Sequence, residues 1–133
     1  MIQVLAMTMT MAMAAFAPPL VAVGPEALVQ QQVDAYNAHD LDAMVACYGP
    51  GIEFWTMDGK VRGEKGVVAL RAGYAELFKK FPKVKVKVLT RICQGTFVID
   101  QQQADGMGQS PITVTAIYET AQGKIVRVWY IGG

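Results

Sequence analysis

The 133-residue chain is poor in the residues that build metal centres and disulfide frameworks, with one histidine and two cysteines, Cys47 and Cys93. A single histidine excludes a multi-histidine metal site and argues against a histidine-based catalytic triad. Two cysteines make no disulfide framework, so buried free thiols are the default. A net charge of +1 leaves no basic excess for nucleic acid. We therefore expect no metal, no cofactor and no nucleic-acid partner.

Charge is also absent from residues 1–24, because the first ionisable side chain is that of Glu26. Three interpretations of this apolar leader stay open: a signal-like segment, an extension without a role, and a membrane anchor. Pro18 and Pro19 stop a helix before the roughly 20 residues that a membrane span needs. A signal peptide would require a Lys or Arg near Met1, and this chain has none there. The protein is exported or periplasmic if the leader is a signal peptide, and cytoplasmic otherwise.

Residues 25–133 have the composition of one soluble domain, for which no membrane span is expected. Apolar spacing, caps and Pro/Gly punctuation predict three helices followed by strands. Because helices and antiparallel strands are segregated, the fold class is α+β, with one sheet face under the helices. The predicted elements are helices at 26–38, 41–48 and 64–81, a strand at 52–56 with a turn at Asp58-Gly59, and four long strands after Pro82.

Strand alternation assigns faces to the later strands. Residues 83–88 alternate Lys with Val, which is typical of a solvated sheet face rather than a nucleic-acid surface. If Phe97 and Ile99 face the core, Asp100 faces outward, unless a bulge reverses the order. Tyr118 shares its parity with Ala116, which favours an inward hydroxyl.

Three stretches of sequence carry a family resemblance: residues 33–43 around Tyr36-Asn37, residues 63–67, and the terminal hairpin at 123–129. Over residues 26–133 the chain resembles the nuclear transport factor 2-like superfamily, which includes ketosteroid isomerases and SnoaL-like polyketide cyclases. The resemblance implies a cone-shaped, curved antiparallel sheet (a cystatin-like roll) packed against three amino-terminal helices around a pocket. It also implies a homodimer formed through the outer sheet face, where Arg127 would lie.

The isomerase mechanism needs an aspartate base, a tyrosine and a protonated aspartate. Aligned on the resemblance, those positions fall on Thr56 for the base, Gln32 for the tyrosine and Ala116 for the acid. Neither Thr nor Ala can do this chemistry, so steroid isomerisation is disfavoured. Asp58 and Asp100 remain as weak catalytic candidates. His39 is expected either at a left-handed helix end or simply exposed, rather than catalytic.

The resemblance brings aromatic side chains together around the pocket, with the Gln32 amide as a polar contact. The predicted ligand-binding residues are Gln32, Tyr36, Trp55, Tyr74, Phe78, Phe97 and Tyr118.

The sequence thus predicts a SnoaL-like protein that binds a small, hydrophobic, oxygenated molecule. It would catalyse, if anything, an isomerase-, cyclase- or dehydratase-type acid–base reaction without metal. The alternative is a non-catalytic dimerisation or protein-binding module. A carboxylate or tyrosine hydroxyl at the pocket base would favour the acid–base hypothesis.

Overall fold

The computed structural model describes residues 23–132, so most of the apolar leader lies outside the described residues. Within this range, three helices and six strands follow in the order helix, helix, two strands, helix, four strands. Their bounds are α1 Pro25–Asn37, α2 Leu41–Ala46, β1 Tyr48–Trp55, β2 Val61–Arg62, α3 Val67–Lys80, β3 Lys85–Gln94, β4 Phe97–Asp105, β5 Ile112–Ala121 and β6 Lys124–Gly132. No helix in this range is long and apolar enough to cross a membrane.

The strands form one curved, unclosed sheet in the order β2-β1-β6-β5-β4-β3, with the helices packed against it. This confirms the α+β class and the roll-like architecture. The prediction was wrong in one respect: the sheet is mixed rather than wholly antiparallel, because β1 runs parallel to β6. Short connections, of which the one between β4 and β5 is a loop, favour antiparallel pairing of the consecutive strands β3 to β6. No turn joins β1 to β6, so local sequence does not dictate their relative direction.

The helix starts follow from local chemistry. Pro25 occupies the first turn of α1, where its missing N–H costs nothing. His39 takes a left-handed conformation after that helix, with φ of 53°, as predicted. Asp40 then caps α2, since its side chain accepts a hydrogen bond from the Ala43 N–H at 3.0 Å. The turn between these two helices is therefore encoded residue by residue.

The second helix is shorter than predicted, because it ends at Ala46 rather than Tyr48. The Cys47 carbonyl accepts from the Ile125 N–H at 2.9 Å, which starts the pairing of β1 with β6. Residues 49–51, which lie between the predicted helix 41–48 and the predicted strand 52–56, belong to β1, and the β1–β6 register shifts between Tyr48 and Glu53. That irregularity accommodates Pro50 in a strand.

The third helix also starts later than predicted, at Val67 rather than Glu64. Gly66 precedes it with φ of 96°, a conformation that side chains rarely adopt, and its N–H donates to the Ile52 carbonyl at 2.8 Å. The chain therefore stays tied to β1 until the helix begins. Pro82 follows the helix end, as predicted.

The face assignment of β4 is the reverse of the expected one. Val98, Asp100 and Gln102 point inward and are buried, whereas Phe97 and Ile99 lie on the outer face. The run Phe97-Val98-Ile99 is apolar on both faces, so hydropathy did not reveal the parity. The outer face is itself partly apolar, and Phe97 packs there against Trp129 with ring centroids 6.5 Å apart.

Candidate functional site

A cavity of about 800 Å³ lies between the inner face of the sheet and helices α1 and α3. Most of its wall is aliphatic or aromatic. Exposed members of the lining, among them Arg62, Glu64, Ala72 and Gly73, mark its mouth. Small residues on α3 keep this entrance wide. A cavity of this size and composition is typical of a small-molecule site.

Four of the seven predicted ligand-binding residues line the cavity: Gln32, Tyr36, Tyr74 and Tyr118. The other three do not. Phe78 is buried in the core, where its ring stacks on His39 at 4.1 Å. Trp55 and Phe97 lie on outer-face positions of the sheet, in register with Trp129 and Glu119. Phe97 points outward because the alternate residues of β4 point inward. Trp55 points outward together with Trp129, its register partner on β6.

The lining also contains side chains that were not predicted from the sequence, among them Tyr130, Gln102 and Phe54. Tyr130 has the same strand parity as the buried Val128, and this spacing was the signal that could have found it. Gln102 stands between two other glutamines, of which Gln101 is exposed and Gln103 half-buried. Because the three residues are identical, the sequence did not show which of them faces the cavity.

The phenols on the wall are neutral hydrogen-bonding groups. Burial, with a smaller contribution from Tyr130, raises the pKa of Tyr36 to about 12. Burial also raises the pKa of Tyr118 and of Tyr74 well above the usual value, and the pKa of Tyr130 is raised for the same reason. These hydroxyls therefore keep their protons near neutral pH and can donate hydrogen bonds.

Asp100 lies inside the fold but is already engaged. Its side chain is fully buried and accepts two hydrogen bonds from Arg91, from Nε to Oδ1 at 2.7 Å and from Nη2 to Oδ2 at 2.8 Å. The remaining Nη1 donates to Gln30 on α1 at 2.8 Å. The hydrogen bonds to Asp100 raise the pKa of Arg91. A bidentate arginine neutralises this carboxylate, which makes it a poor general base.

Asp58 lies away from the cavity lining, in the turn of the β1–β2 hairpin. Its carboxylate accepts a hydrogen bond from the Thr56 hydroxyl, and the Lys60 ammonium lies 3.6 Å away. The hydrogen bond from Thr56 is the main cause that lowers the pKa of Asp58. The structure thus places Asp58 and Thr56 together in an exposed turn, and neither residue belongs to the cavity lining that holds the buried phenols.

Two amides complete the polar part of the wall. The Gln102 Nε2 donates to the Tyr118 hydroxyl at 3.0 Å and lies 3.5 Å from the Asp100 Oδ2. Gln32 is almost fully buried, and its Oε1 has no hydrogen-bond partner among residues 23–132. A buried acceptor without a partner is costly, so a ligand that donates to it would be stabilised.

The histidine and the two cysteines lie outside the cavity lining. The His39 Nε2 lies 2.8 Å from the Val84 carbonyl. Cys47 is buried and Cys93 exposed, and both thiols are free. Ala116, aligned with the isomerase acid, is fully buried on the inner face. Among the residues that the structure describes, no three His, Cys, Asp or Glu side chains group closely enough to hold a metal ion.

Comparisons with known proteins agree with this architecture. A family model described as a SnoaL-like domain matches residues 29–128. An uncharacterized cystatin-fold protein from Novosphingobium aromaticivorans superposes with a TM-score of 0.74 at 23% identity, covering 82% of this chain and 98% of the other. A proposed polyketide cyclase from Sinorhizobium meliloti superposes with a TM-score of 0.68 at 22% identity, covering 78% and 93%.

A third solved structure, a SnoaL-like protein of unknown function from Burkholderia thailandensis, has a TM-score of 0.70 at 16% identity and covers 86% and 99% of the two chains. At these identities the likeness concerns the fold alone. No functionally curated protein is significantly similar to the chain in sequence.

Proposed function

The chain belongs to the SnoaL-like domain family, within the nuclear transport factor 2-like superfamily, and on that premise we propose that it binds a small, hydrophobic, oxygenated molecule in the cavity. The observation that carries this proposal is the cavity itself, about 800 Å³ in volume, with neutral phenols on a mainly apolar wall. Ring systems of the polyketide or steroid type have the matching chemistry: a large apolar surface with a few oxygens.

The wall supports binding and polarisation of an oxygen more than proton abstraction. Tyr118 and Tyr130 can donate hydrogen bonds to a ligand oxygen, which is one half of acid–base chemistry. The other half needs a carboxylate that is free to take a proton. Asp100 is paired with Arg91, and the lining carboxylate, Glu64, is exposed at the mouth. Acid–base catalysis would therefore depend on Glu64, and steroid isomerisation by the aspartate mechanism stays disfavoured.

Blocking the mouth tests the binding proposal. Gly73 lines the cavity on α3, and a Cβ built there meets no atom within 4 Å, so a Trp side chain can enter the opening. We expect the Gly73→Trp variant to bind the bicyclic ketone 1-tetralone at least about 10-fold more weakly than the unmodified chain, by isothermal titration calorimetry, because the indole occupies ligand space.

Val68→Trp is the matched control, since it places the same side chain on the same helix at a residue that is 83% exposed and outside the lining. Equal affinity of Gly73→Trp and Val68→Trp for 1-tetralone would contradict binding in the cavity. Mass spectrometry of compounds that co-purify with the chain would identify the natural ligand class.

The outer sheet face favours a second, compatible role as a homodimer interface. An outer apolar row of five residues crosses five strands in register, and three of its members are aromatic or strongly exposed. Ile92 is 57% exposed, and the Arg127 guanidinium lies 5.0 Å from the Trp55 ring and pairs with Glu119 at 3.2 Å. The row consists of Ile92, Ile99, Ile117, Trp129 and Trp55.

Placing a charged side chain in the outer apolar row tests the proposed homodimer. We expect Ile92→Lys to raise the dimer dissociation constant at least about 10-fold, because two lysines would be desolvated in an apolar contact. Sedimentation equilibrium measures this change. Val68→Lys, on α3 and away from the sheet, should leave the dissociation constant unchanged. A monomeric unmodified chain at micromolar concentration would contradict the homodimer and leave the cavity proposal standing.

A further inference from the structure

We propose that the buried Arg91–Asp100 pair acts through Gln102 to point the Tyr118 hydroxyl into the cavity, so that the site recognises a ligand oxygen that accepts a hydrogen bond, such as a ketone carbonyl. This inference rests on the proposed function and specifies the ligand chemistry at one end of the same cavity. Arg91, Asp100 and Gln102 are positioning residues here, and Tyr118 is the residue that contacts the ligand.

The first step is the anchoring of Asp100. Both of its carboxylate oxygens accept hydrogen bonds from Arg91, and the pair is held under α1 by the bond from Arg91 to Gln30. The side chain of Asp100 is fully buried and that of Arg91 is 14% exposed. Burial and two hydrogen bonds from one guanidinium therefore fix the position of the carboxylate.

The second step is the orientation of the Gln102 amide. Its nitrogen faces the Asp100 Oδ2 at 3.5 Å, which is a long contact. The reverse orientation would place the amide oxygen against a carboxylate oxygen, and neither atom can donate a hydrogen bond. The negative charge of Asp100 therefore selects the orientation in which the N–H₂ group of Gln102 points toward Tyr118.

The third step concerns the Tyr118 proton. The Tyr118 oxygen accepts the Gln102 N–H at 3.0 Å, so its own O–H must point elsewhere. Its polar neighbours on the cavity wall are Tyr74 and Tyr130, which are neutral phenols with protons of their own. Since Tyr118 lines the cavity, a ligand oxygen can accept this O–H, which is then a surplus donor on the wall.

A surplus donor on an apolar wall discriminates between ligands. A carbonyl oxygen has lone pairs and no proton, so it satisfies the phenol directly. A hydrocarbon cannot accept this hydrogen bond, so it gains nothing from the hydroxyl. The cavity should therefore prefer 1-tetralone over tetralin, the hydrocarbon with the same two rings and no oxygen.

Infrared spectroscopy of bound 1-tetralone, labelled with carbon-13 at its carbonyl, tests the inference. In the unmodified chain we expect the carbonyl band to move to lower wavenumber than in hexane, because a hydrogen bond weakens the C=O bond. Tyr118→Phe should abolish most of that displacement and weaken tetralone binding by about 3- to 10-fold. The affinity for tetralin should change by less than about 2-fold, because no hydrogen bond to it is lost.

Substitutions in the consecutive glutamines 101–103 test the positioning role of Gln102 with a matched control. Gln102→Met removes the N–H with little change in shape, and we expect the carbonyl band to broaden and move back toward its value in hexane. Gln103→Met, at a half-buried outward residue of the same strand, should leave the band unchanged. Arg91→Met/Asp100→Leu, which removes both charges of the anchor, should reproduce the broadened band. Circular dichroism and thermal melting establish that each variant is folded.

The outcomes separate the inference from the proposed function. If tetralone and tetralin both bind but Tyr118→Phe leaves the carbonyl band unmoved, the cavity binds ligands and the inference about Tyr118 is overturned. If Tyr118→Phe moves the band and Gln102→Met does not, the positioning role of Gln102 is overturned. If neither probe binds, the proposed function itself is overturned.

Discussion

The Asp100→Leu variant is expected to lose about 3–5 kcal/mol of its free energy of unfolding, because the substitution leaves the guanidinium of Arg91 without its counter-ion. Arg91 is 14% exposed and donates two hydrogen bonds to Asp100, so its charge has little access to water when the carboxylate is gone. Urea unfolding followed by circular dichroism measures the loss. A cost of this size is a large fraction of the roughly 5–15 kcal/mol stability that is typical of a small domain.

The double variant Arg91→Met/Asp100→Leu separates the cost of an orphaned charge from the value of the pair. We expect its free energy of unfolding to lie within about 1 kcal/mol of the unmodified chain or above it, since apolar groups of similar volume avoid the desolvation of both ions. Arg91→Met alone should be destabilised like Asp100→Leu. A small loss for Asp100→Leu, below about 1 kcal/mol, would contradict a fixed buried pair.

If the double variant is stable, the presence of this buried pair in the fold needs a reason other than stability. The contact of Gln102 with both Asp100 and Tyr118 supplies one, because the charge acts on a group of the cavity wall. Stability and carbonyl recognition are then measured on the same set of variants. The double variant should fold well and still give the broadened carbonyl band.

The sequence predicts the order of elements because each boundary has its own local chemistry. Pro25 opens the first helix, Asp40 caps the second and Pro82 follows the third, and each acts within a few residues. Four strands separated by glycine turns must pair as an antiparallel meander. The parallel contact of β1 with β6 was not predictable in this way, since Tyr48 and its partner Ile125 are joined by no short turn.

The chemistry of the cavity wall was less predictable for a physical reason. Hydropathy reveals strand parity only where one face is polar, and β4 carries apolar side chains on both faces near Phe97 and Ile99. A shift of one residue exchanges Asp100 and Gln102 with their neighbours between the two faces. Tyr118 was placed correctly because Ala116 and Glu119 mark its strand more clearly.

The loop between β4 and β5 carries the second large expected effect. Gly106 adopts φ of +90°, and it packs against the backbone just before β3. A Cβ at this residue would lie 2.5 Å from the Lys83 carbonyl oxygen and 2.9 Å from the Val84 nitrogen. Both are backbone atoms, which cannot move aside as the end of a flexible side chain can. The next residue, Met107, lines the cavity.

We expect Gly106→Ala to lower the free energy of unfolding by about 2–4 kcal/mol, since it adds a backbone clash to an unfavourable φ. The shifted loop should also displace Met107 and weaken the binding of both 1-tetralone and tetralin, unlike Tyr118→Phe, which affects the ketone alone. Gly108→Ala is the matched control in the same loop, because a Cβ there meets no atom within 4 Å, and its free energy of unfolding should change by less than about 0.5 kcal/mol. Equal effects of the two substitutions in urea unfolding would contradict the close approach of Gly106 to Lys83.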